Sequence, residues 1–96
     1  MTDLASLAAD ARRAAQERLG AMVQDVDVHN YVDEDGESAY EVVFVLSKYD
    51  PDVLTAQNRS WIVRSIIRRL KDEGDTRFPF VKFISRDELA EAANDD

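Results

Sequence analysis

"AYEVVFVLS", residues 39–47, is the stretch that decides the fold of this 96-residue chain. Successive side chains of a β-strand point to opposite faces of its sheet. Both faces of this stretch are apolar, one formed by Tyr40, Val42, Phe44 and Leu46 and the other by Val43 and Val45. Such a strand is typical of the centre of a sheet, so we expect residues 39–47 to be covered on both faces.

The preceding stretch, "MVQDVDVHNYV" at residues 22–32, alternates between apolar and polar positions. One face carries Val26, Val28 and Val32, and the other carries Asp25, Asp27, His29 and Tyr31. This pattern predicts a half-buried antiparallel strand. Between the two strands lies "DEDG", residues 33–36, whose Asp-Gly pair can adopt the positive φ values of a tight turn. The two strands are therefore predicted to form a hairpin.

A third strand is predicted at "FPFVKFI", residues 78–84, with Pro79 near its start or on a sheet edge, because proline cannot donate to a ladder. A helix separates it from the second strand, which favours a parallel pairing through a crossover. We favour the strand order 1-2-3, since the second strand is apolar on both faces, and 2-1-3 is the alternative. Phe78, Phe80 and Phe83 are expected in the core, although aromatic strand residues can also stack on nucleic-acid bases.

Helices are predicted on either side of these strands. From Thr2 to about Leu19 an Ala-rich stripe recurs at helical spacing, with Thr2 or Asp3 as N-cap and Gly20 as the stop. Its small side chains would allow close approach to a sheet or a partner subunit. Ser85 and Glu88 have the spacing of a capping box, which predicts a short last helix over residues 85–93.

The predicted fold class is therefore α+β. Residues 1–96 form one domain in the order α-β-β-α-β-α, with a three-stranded mixed sheet in two or three layers. The acidic tail at about residues 93–96 is expected to fray.

The main helix contains "NRSWIVRSIIRRLK", residues 58–71, which holds five basic side chains and no acidic one in a chain of net charge −8. Asp50 and Pro51 predict a single turn that ends before it, and Gly74 is expected to stop it. Its core face is formed by Ile62, Val63, Ile66, Ile67 and Leu70. Arg64, Arg68 and Lys71 fall on the opposite side, and so does Trp61, the only Trp.

Trp61 has two interpretations. It can pack under another element of the same chain, either the 50–56 segment or the N-terminal helix. Alternatively it forms an exposed patch with Arg64 and Arg68, a composition enriched at binding hot spots. We therefore take Trp61, Arg64, Arg68 and Lys71 as the candidate binding surface.

Charge is segregated along the chain. Residues 25–41 hold seven acidic residues and no Lys or Arg. The charged residues of 59–71, in contrast, are all basic. The acidic hairpin could face the basic helix within the monomer or across a dimer. The basic run can also be a solvated helix face with little energetic effect.

No catalytic or cofactor signature is present. The sequence contains no Cys, and its three Gly are isolated, so thiol chemistry, Cys-based metal sites and Gly-rich phosphate loops are excluded. His29 is the only His, which makes a transition-metal site improbable. Gly36 does not fit the Ca²⁺ loop of an EF-hand, because Tyr31 would then occupy its first ligand position. We expect no metal, no cofactor and no catalytic residue.

These observations predict a cytoplasmic protein without a membrane segment, because no apolar run approaches about 20 residues and no targeting pattern is present. The leading hypothesis is a non-enzymatic protein that acts through protein–protein contacts, regulatory or self-associating, and a homodimer is one form of this. The alternative is nucleic-acid binding through the basic helix at 59–71. An enzyme that would use His29 and Tyr31 is the third.

Overall fold

The computed structural model describes residues 2–94, with side chains through residue 91. Its elements are α1 (Leu4–Leu19), a 3₁₀ turn (Gly20–Met22), β1 (Val23–Val32), β2 (Ser38–Leu46), α2 (Ala56–Asp72), β3 (Pro79–Ser85) and α3 (Arg86–Asn94). The predicted α-β-β-α-β-α order and the α+β class are confirmed. Residues 93 and 94 of the predicted frayed tail end α3, and residues 95 and 96 lie outside the described residues.

The three strands form one mixed sheet in the order β1-β2-β3. β1 and β2 are antiparallel, with Val28 opposite Val42, while β2 and β3 are parallel, with Val42 opposite Val81. The central position of β2 is therefore confirmed, and the order 2-1-3 is wrong.

The predicted turn joins β1 to β2. The Oδ1 atom of Asp33 accepts hydrogen bonds from the backbone N–H groups of Asp35 and Glu37, each at 2.9 Å. Gly36 has a φ of 81°, a left-handed value at which other residues are strained. The side chain of Asp33 thus stabilises the turn that sets the hairpin register.

The predicted caps of α1 and the predicted turn at Asp50 are confirmed, whereas the sequence predicted no cap at Thr55. Asp3 caps α1 and accepts from the Ala5 N–H at 3.2 Å, while Gly20 ends this helix with a φ of 59°. The single turn after Asp50 is present, because the Leu54 N–H donates to the Asp50 carbonyl at 2.8 Å. Thr55 then caps α2 and accepts from the Asn58 N–H at 3.1 Å.

Both long helices pack on the same face of the sheet. The core between them combines four groups of buried side chains: Leu7, Ala11, Ala15 and Leu19 of α1; Ile62, Ile66 and Leu70 of α2; Tyr40, Val42, Phe44 and Leu46 of β2; and Val23 and Val28 of β1. The side chains of Ala11 and Ala15 are almost completely buried, so the small residues of α1 do permit close approach. The result is a two-layer arrangement of helices on a sheet.

The opposite face of the sheet differs from the prediction. Val43 and Val45 are only half-buried, so the expectation that β2 is covered on both faces is wrong. The core assignment is also wrong for Phe78 and Phe80, which are 53% and 37% exposed. Phe83 does pack against the core, stacked on Phe44 with a centroid distance of 5.1 Å. The physical reason is that both long helices use one face of the sheet, which leaves the other without a long helix.

Candidate functional site

The uncovered side of the sheet, called the open face below, is built by alternate residues of the three strands. They are Asp25, Asp27, His29 and Tyr31 of β1, Ala39, Glu41, Val43 and Val45 of β2, and Phe80, Lys82 and Ile84 of β3. The strand period of two places all of them on one surface. The open face therefore mixes apolar residues with charges, most of which are acidic.

Three exposed rings form an aromatic cluster at the hairpin end of the open face: Tyr31, Phe78 and Phe80. The ring of Phe80 makes edge contacts with Tyr31 at 5.4 Å and with Phe78 at 5.0 Å between centroids. Ala39 is the cross-strand partner of Tyr31 and is almost completely buried. The rings hold one another in place while presenting apolar surface to solvent, which is a feature of interaction sites.

A row of charged side chains crosses the centre of the open face. His29 lies between two carboxylates, with Nδ1 at 3.2 Å from Asp27 Oδ2 and Nε2 at 2.8 Å from Glu41 Oε1. On the other side of Glu41, Lys82 Nζ lies 3.3 Å from Oε2. This row links all three strands through side-chain contacts.

The geometry of this row bears on the hypothesis that His29 is a general base. A catalytic base needs a ring nitrogen aimed at the substrate proton that it abstracts. Both nitrogens of His29 instead face carboxylate oxygens of the protein itself. The arrangement is a network of polar contacts on the open face, and an enzymatic role for His29 stays a hypothesis.

The candidate residues of α2 lie on the other side of the molecule. Arg64, Arg68 and Lys71 are exposed, and none of them forms an ion pair with another side chain among residues 2–91. The Nε–H of Arg64 donates to the Ser60 carbonyl at 3.3 Å. Their role in binding stays a prediction.

Trp61 takes a position close to the first of its two interpretations. Its side chain is half-buried and packs against the core, and the guanidinium of Arg18 in α1 lies 4.3 Å from the ring centroid. The arginine that covers the indole therefore comes from the N-terminal helix. Trp61 is thus half-buried and not fully covered by the rest of the chain.

We expect Arg18→Gln to shift the Trp61 fluorescence maximum to longer wavelength and to lower the free energy of unfolding by about 0.5–1 kcal/mol, the range for a cation–π contact at an exposed site. The matched control is Arg13→Gln in the same helix, whose side chain is 74% exposed. The control should leave the emission unchanged. Equal spectra for the two variants would contradict the Arg18–Trp61 contact.

The other two bases of α2 are engaged within the chain. Arg69 Nε donates to Asp10 Oδ2 at 2.8 Å, and Arg69 Nη1 lies 2.6 Å from Glu73 Oε1. The guanidinium of Arg59 lies 5.7 Å from the ring centroid of Phe83. The basic surface available to a partner is thus smaller than the sequence suggests.

A buried polar cluster that the sequence did not reveal lies where α2 leads into β3. Asp75 accepts hydrogen bonds from the hydroxyls of Thr2 and Tyr40 and forms a two-point pair with Arg77, through Nε to Oδ1 at 3.0 Å and Nη2 to Oδ2 at 2.8 Å. The guanidinium of Arg77 also lies 4.3 Å from the ring centroid of Tyr40. The cluster joins the N-terminus, β2 and the α2–β3 loop.

The contacts within this cluster shift the pKa values of Asp75 and Tyr40 in opposite directions. The hydrogen bonds from Arg77 hold the pKa of the Asp75 carboxyl far below its ordinary range, and those from Thr2 and Tyr40 add to the effect against the opposing influence of burial. The pKa of the Tyr40 hydroxyl is raised, first by burial and then by its bond to Asp75. Asp75 is therefore ionised and fully engaged, which makes a structural anchor of it.

The sequence patterns revealed neither the buried cluster around Asp75 nor the aromatic cluster of the open face. Asp75 and Arg77 lie in a loop, where no periodicity marks a residue as buried. Phe80 and Lys82 are two residues apart and therefore point to the same face of β3. This spacing was the one available signal that the ring lies on a polar face.

Comparisons with known proteins identify no family. No protein-family model matches this chain. The search of curated proteins found no similar sequence. None of the helices in the described part of the chain is both long and apolar enough to cross a bilayer. Within that same part, no group of three or more His, Asp or Glu side chains is arranged to hold a metal ion.

Proposed function

We propose that this protein acts through protein–protein contacts, has no catalytic role, and binds its partner with the open face of its sheet. The observation that carries the proposal is the aromatic cluster, in which three exposed rings are joined by the contacts of Phe80 with Tyr31 and Phe78. Aromatic residues are enriched at the centre of protein interfaces, where they bury much area at little entropic cost.

The remainder of the open face supports the same function. Val43 and Val45 are half-buried and lie along the central strand. The row of Asp27, His29, Glu41 and Lys82 adds polar groups that contact one another. An apolar stripe with ordered polar groups beside it has the composition of a protein interface.

A cytoplasmic location belongs to this proposal and rests on the cysteine-free sequence. The partner is another protein or a second copy of the chain. Self-association would be a homodimer if two open faces meet about a two-fold axis.

The test is capture of a partner from a cell extract by the full chain, followed by reconstitution from two purified proteins. Phe80→Ser is expected to abolish binding. Val32→Ser should retain it, because Val32 is 65% exposed but its side chain points to the other face of the sheet. In the complex, amide exchange should slow within residues 25–31, 39–45 and 80–84. Sedimentation of the isolated protein reports self-association.

The alternative function is nucleic-acid binding through the outer side of α2, and exposed Arg64, Arg68 and Lys71 support it. Such binding would weaken steeply as salt rises. Loss of binding in Arg64→Glu with Arg68→Glu, together with retention in Phe80→Ser, would contradict the open-face proposal.

A further inference from the structure

We infer that the open face takes a basic segment of a partner protein, with an arginine side chain seated between the aromatic cluster and the hairpin turn. This inference rests on the proposed function and names the chemistry of the partner. It begins from a depression of about 240 Å³ at the hairpin end of the face. The lining residues are Tyr31 and Phe80 from the strands and Asp33, Glu34 and Asp35 from the turn.

The depression combines two features that select for a cation with an apolar stem. The depression is lined by Tyr31 and Phe80, and a guanidinium stacks on an aromatic face with a favourable electrostatic energy. Three carboxylates stand beside these rings. A neutral apolar ligand would leave the carboxylates without partners, and an anion would be repelled.

The carboxylates have capacity for an incoming cation. Asp33 uses Oδ1 to accept from the turn, but no ion pair among residues 2–91 involves Asp33, Glu34 or Asp35. Lys82, a basic residue on the open face, is paired with Glu41 at 3.3 Å. Negative charge at this end of the face is therefore not neutralised by the described part of the chain.

Arginine fits this position better than lysine. Its guanidinium is planar, stacks on rings and is weakly hydrated, whereas the lysine ammonium is a compact and strongly hydrated charge. The ring of Phe78, at 53% exposure, lies next to Phe80 and offers a second contact for an apolar neighbour of the arginine. The partner segment should therefore carry arginine beside an apolar residue.

A second copy of this chain is the less favourable occupant. Six of its exposed arginines lie on α1 and α2, which cover the sheet face opposite the open face: Arg12, Arg13, Arg18, Arg59, Arg64 and Arg68. A seventh, Arg86, donates a hydrogen bond to the side chain of Gln24. Contact between these two different surfaces would be head-to-tail, which forms open chains unless the rotation closes a ring. A separate basic partner avoids this outcome.

The experiment titrates the full chain, labelled for NMR, with an acetylated and amidated tetrapeptide Ala-Arg-Leu-Ala. The same peptide with citrulline in place of arginine is the neutral comparison. Saturable amide shifts at Tyr31, residues 33–35 and Phe80 are expected with the arginine peptide. The citrulline peptide should bind at least about tenfold more weakly, which corresponds to about 1.4 kcal/mol.

Two double variants separate a seated arginine from general attraction. Glu34→Gln with Asp35→Asn should weaken binding several-fold. Glu17→Gln with Asp72→Asn makes the same change in net charge at exposed positions of α1 and α2, which cover the opposite face of the sheet, and should have little effect. Phe80→Ser should abolish the shifts while preserving the spectrum of a folded protein.

Equal weakening by the two double variants, or equal binding of the two peptides, would overturn the inference. If the protein self-associates in sedimentation experiments and Arg64→Glu with Arg68→Glu abolishes this, the occupant of the depression is a second copy of the chain and not a separate partner. If a natural partner requires Phe80 for binding but does not compete with the arginine peptide, the proposed function is supported and this inference is overturned. Absence of both interactions would reject both.

Discussion

Replacement of Asp75 by Ala is expected to lower the free energy of unfolding by about 3 kcal/mol, the magnitude for removing one partner of a buried, hydrogen-bonded ion pair. The side chain of Asp75 is only 9% exposed. Its loss leaves Arg77 unpaired and removes the acceptor of the Thr2 and Tyr40 hydroxyls. Urea denaturation followed by circular dichroism measures the change.

The control for this variant is Asp72→Ala, which removes an exposed carboxylate three residues earlier. A surface change of this kind should alter stability by no more than about 0.5 kcal/mol. Similar values for the two variants would show that the buried cluster does not hold the α2–β3 loop in place.

The same carboxylate predicts how stability depends on pH. Because the pKa of Asp75 is lowered in the folded protein, its contribution is fully present above the pKa of an unfolded aspartate, about 3.9, and is lost as pH falls through the folded value. Wild type should therefore lose stability in acid more steeply than Asp75→Asn. Parallel pH profiles for the two proteins would contradict this.

Phe44→Ala is expected to cost about 3–5 kcal/mol, because it removes a fully buried ring and leaves a cavity. Phe44 lies at the centre of the sheet, packs under both long helices and stacks on Phe83. The loss is a large share of the stability of a domain of this size. Chemical denaturation reports it directly.

Phe80→Ala is the matched control, since it removes the same ring from the open face. Phe80 is 37% exposed, so its truncation should cost about 1 kcal/mol or less. A cost as large as that of Phe44→Ala would mean that the open face is covered and would remove the basis of the proposed interface.

Most of the fold could be predicted from local patterns. The apolar faces of residues 39–47 place β2 at the centre, the Asp-Gly pair specifies the hairpin, and Gly20 and Gly74 end the two long helices with φ values of 59° and 75°. Each is a local preference that the tertiary contacts reinforce. This agreement between levels is typical of a sequence that specifies one fold.

The candidate site was less accessible from the sequence. The basic run of α2 drew attention to Trp61 and Arg64, although the tertiary packing pairs Trp61 with Arg18, which is distant along the chain. Phe78 and Phe80 share a strand face through their spacing, but only the sheet register brings Tyr31 into contact with Phe80. Proximity between residues from different strands is not encoded in the periodicity of any one strand.

The elements, their order and the polarity of each strand face follow from local sequence, because they depend on periods of 2 and 3.6 residues and on the conformations that Gly, Pro and Asp favour. Which sheet face the helices cover depends instead on contacts between elements that are distant along the chain. Both apolar faces of β2 could be buried, but α1 and α2 pack against each other and share one of them. The other face is left open, and the aromatic cluster on it is exposed for the same reason.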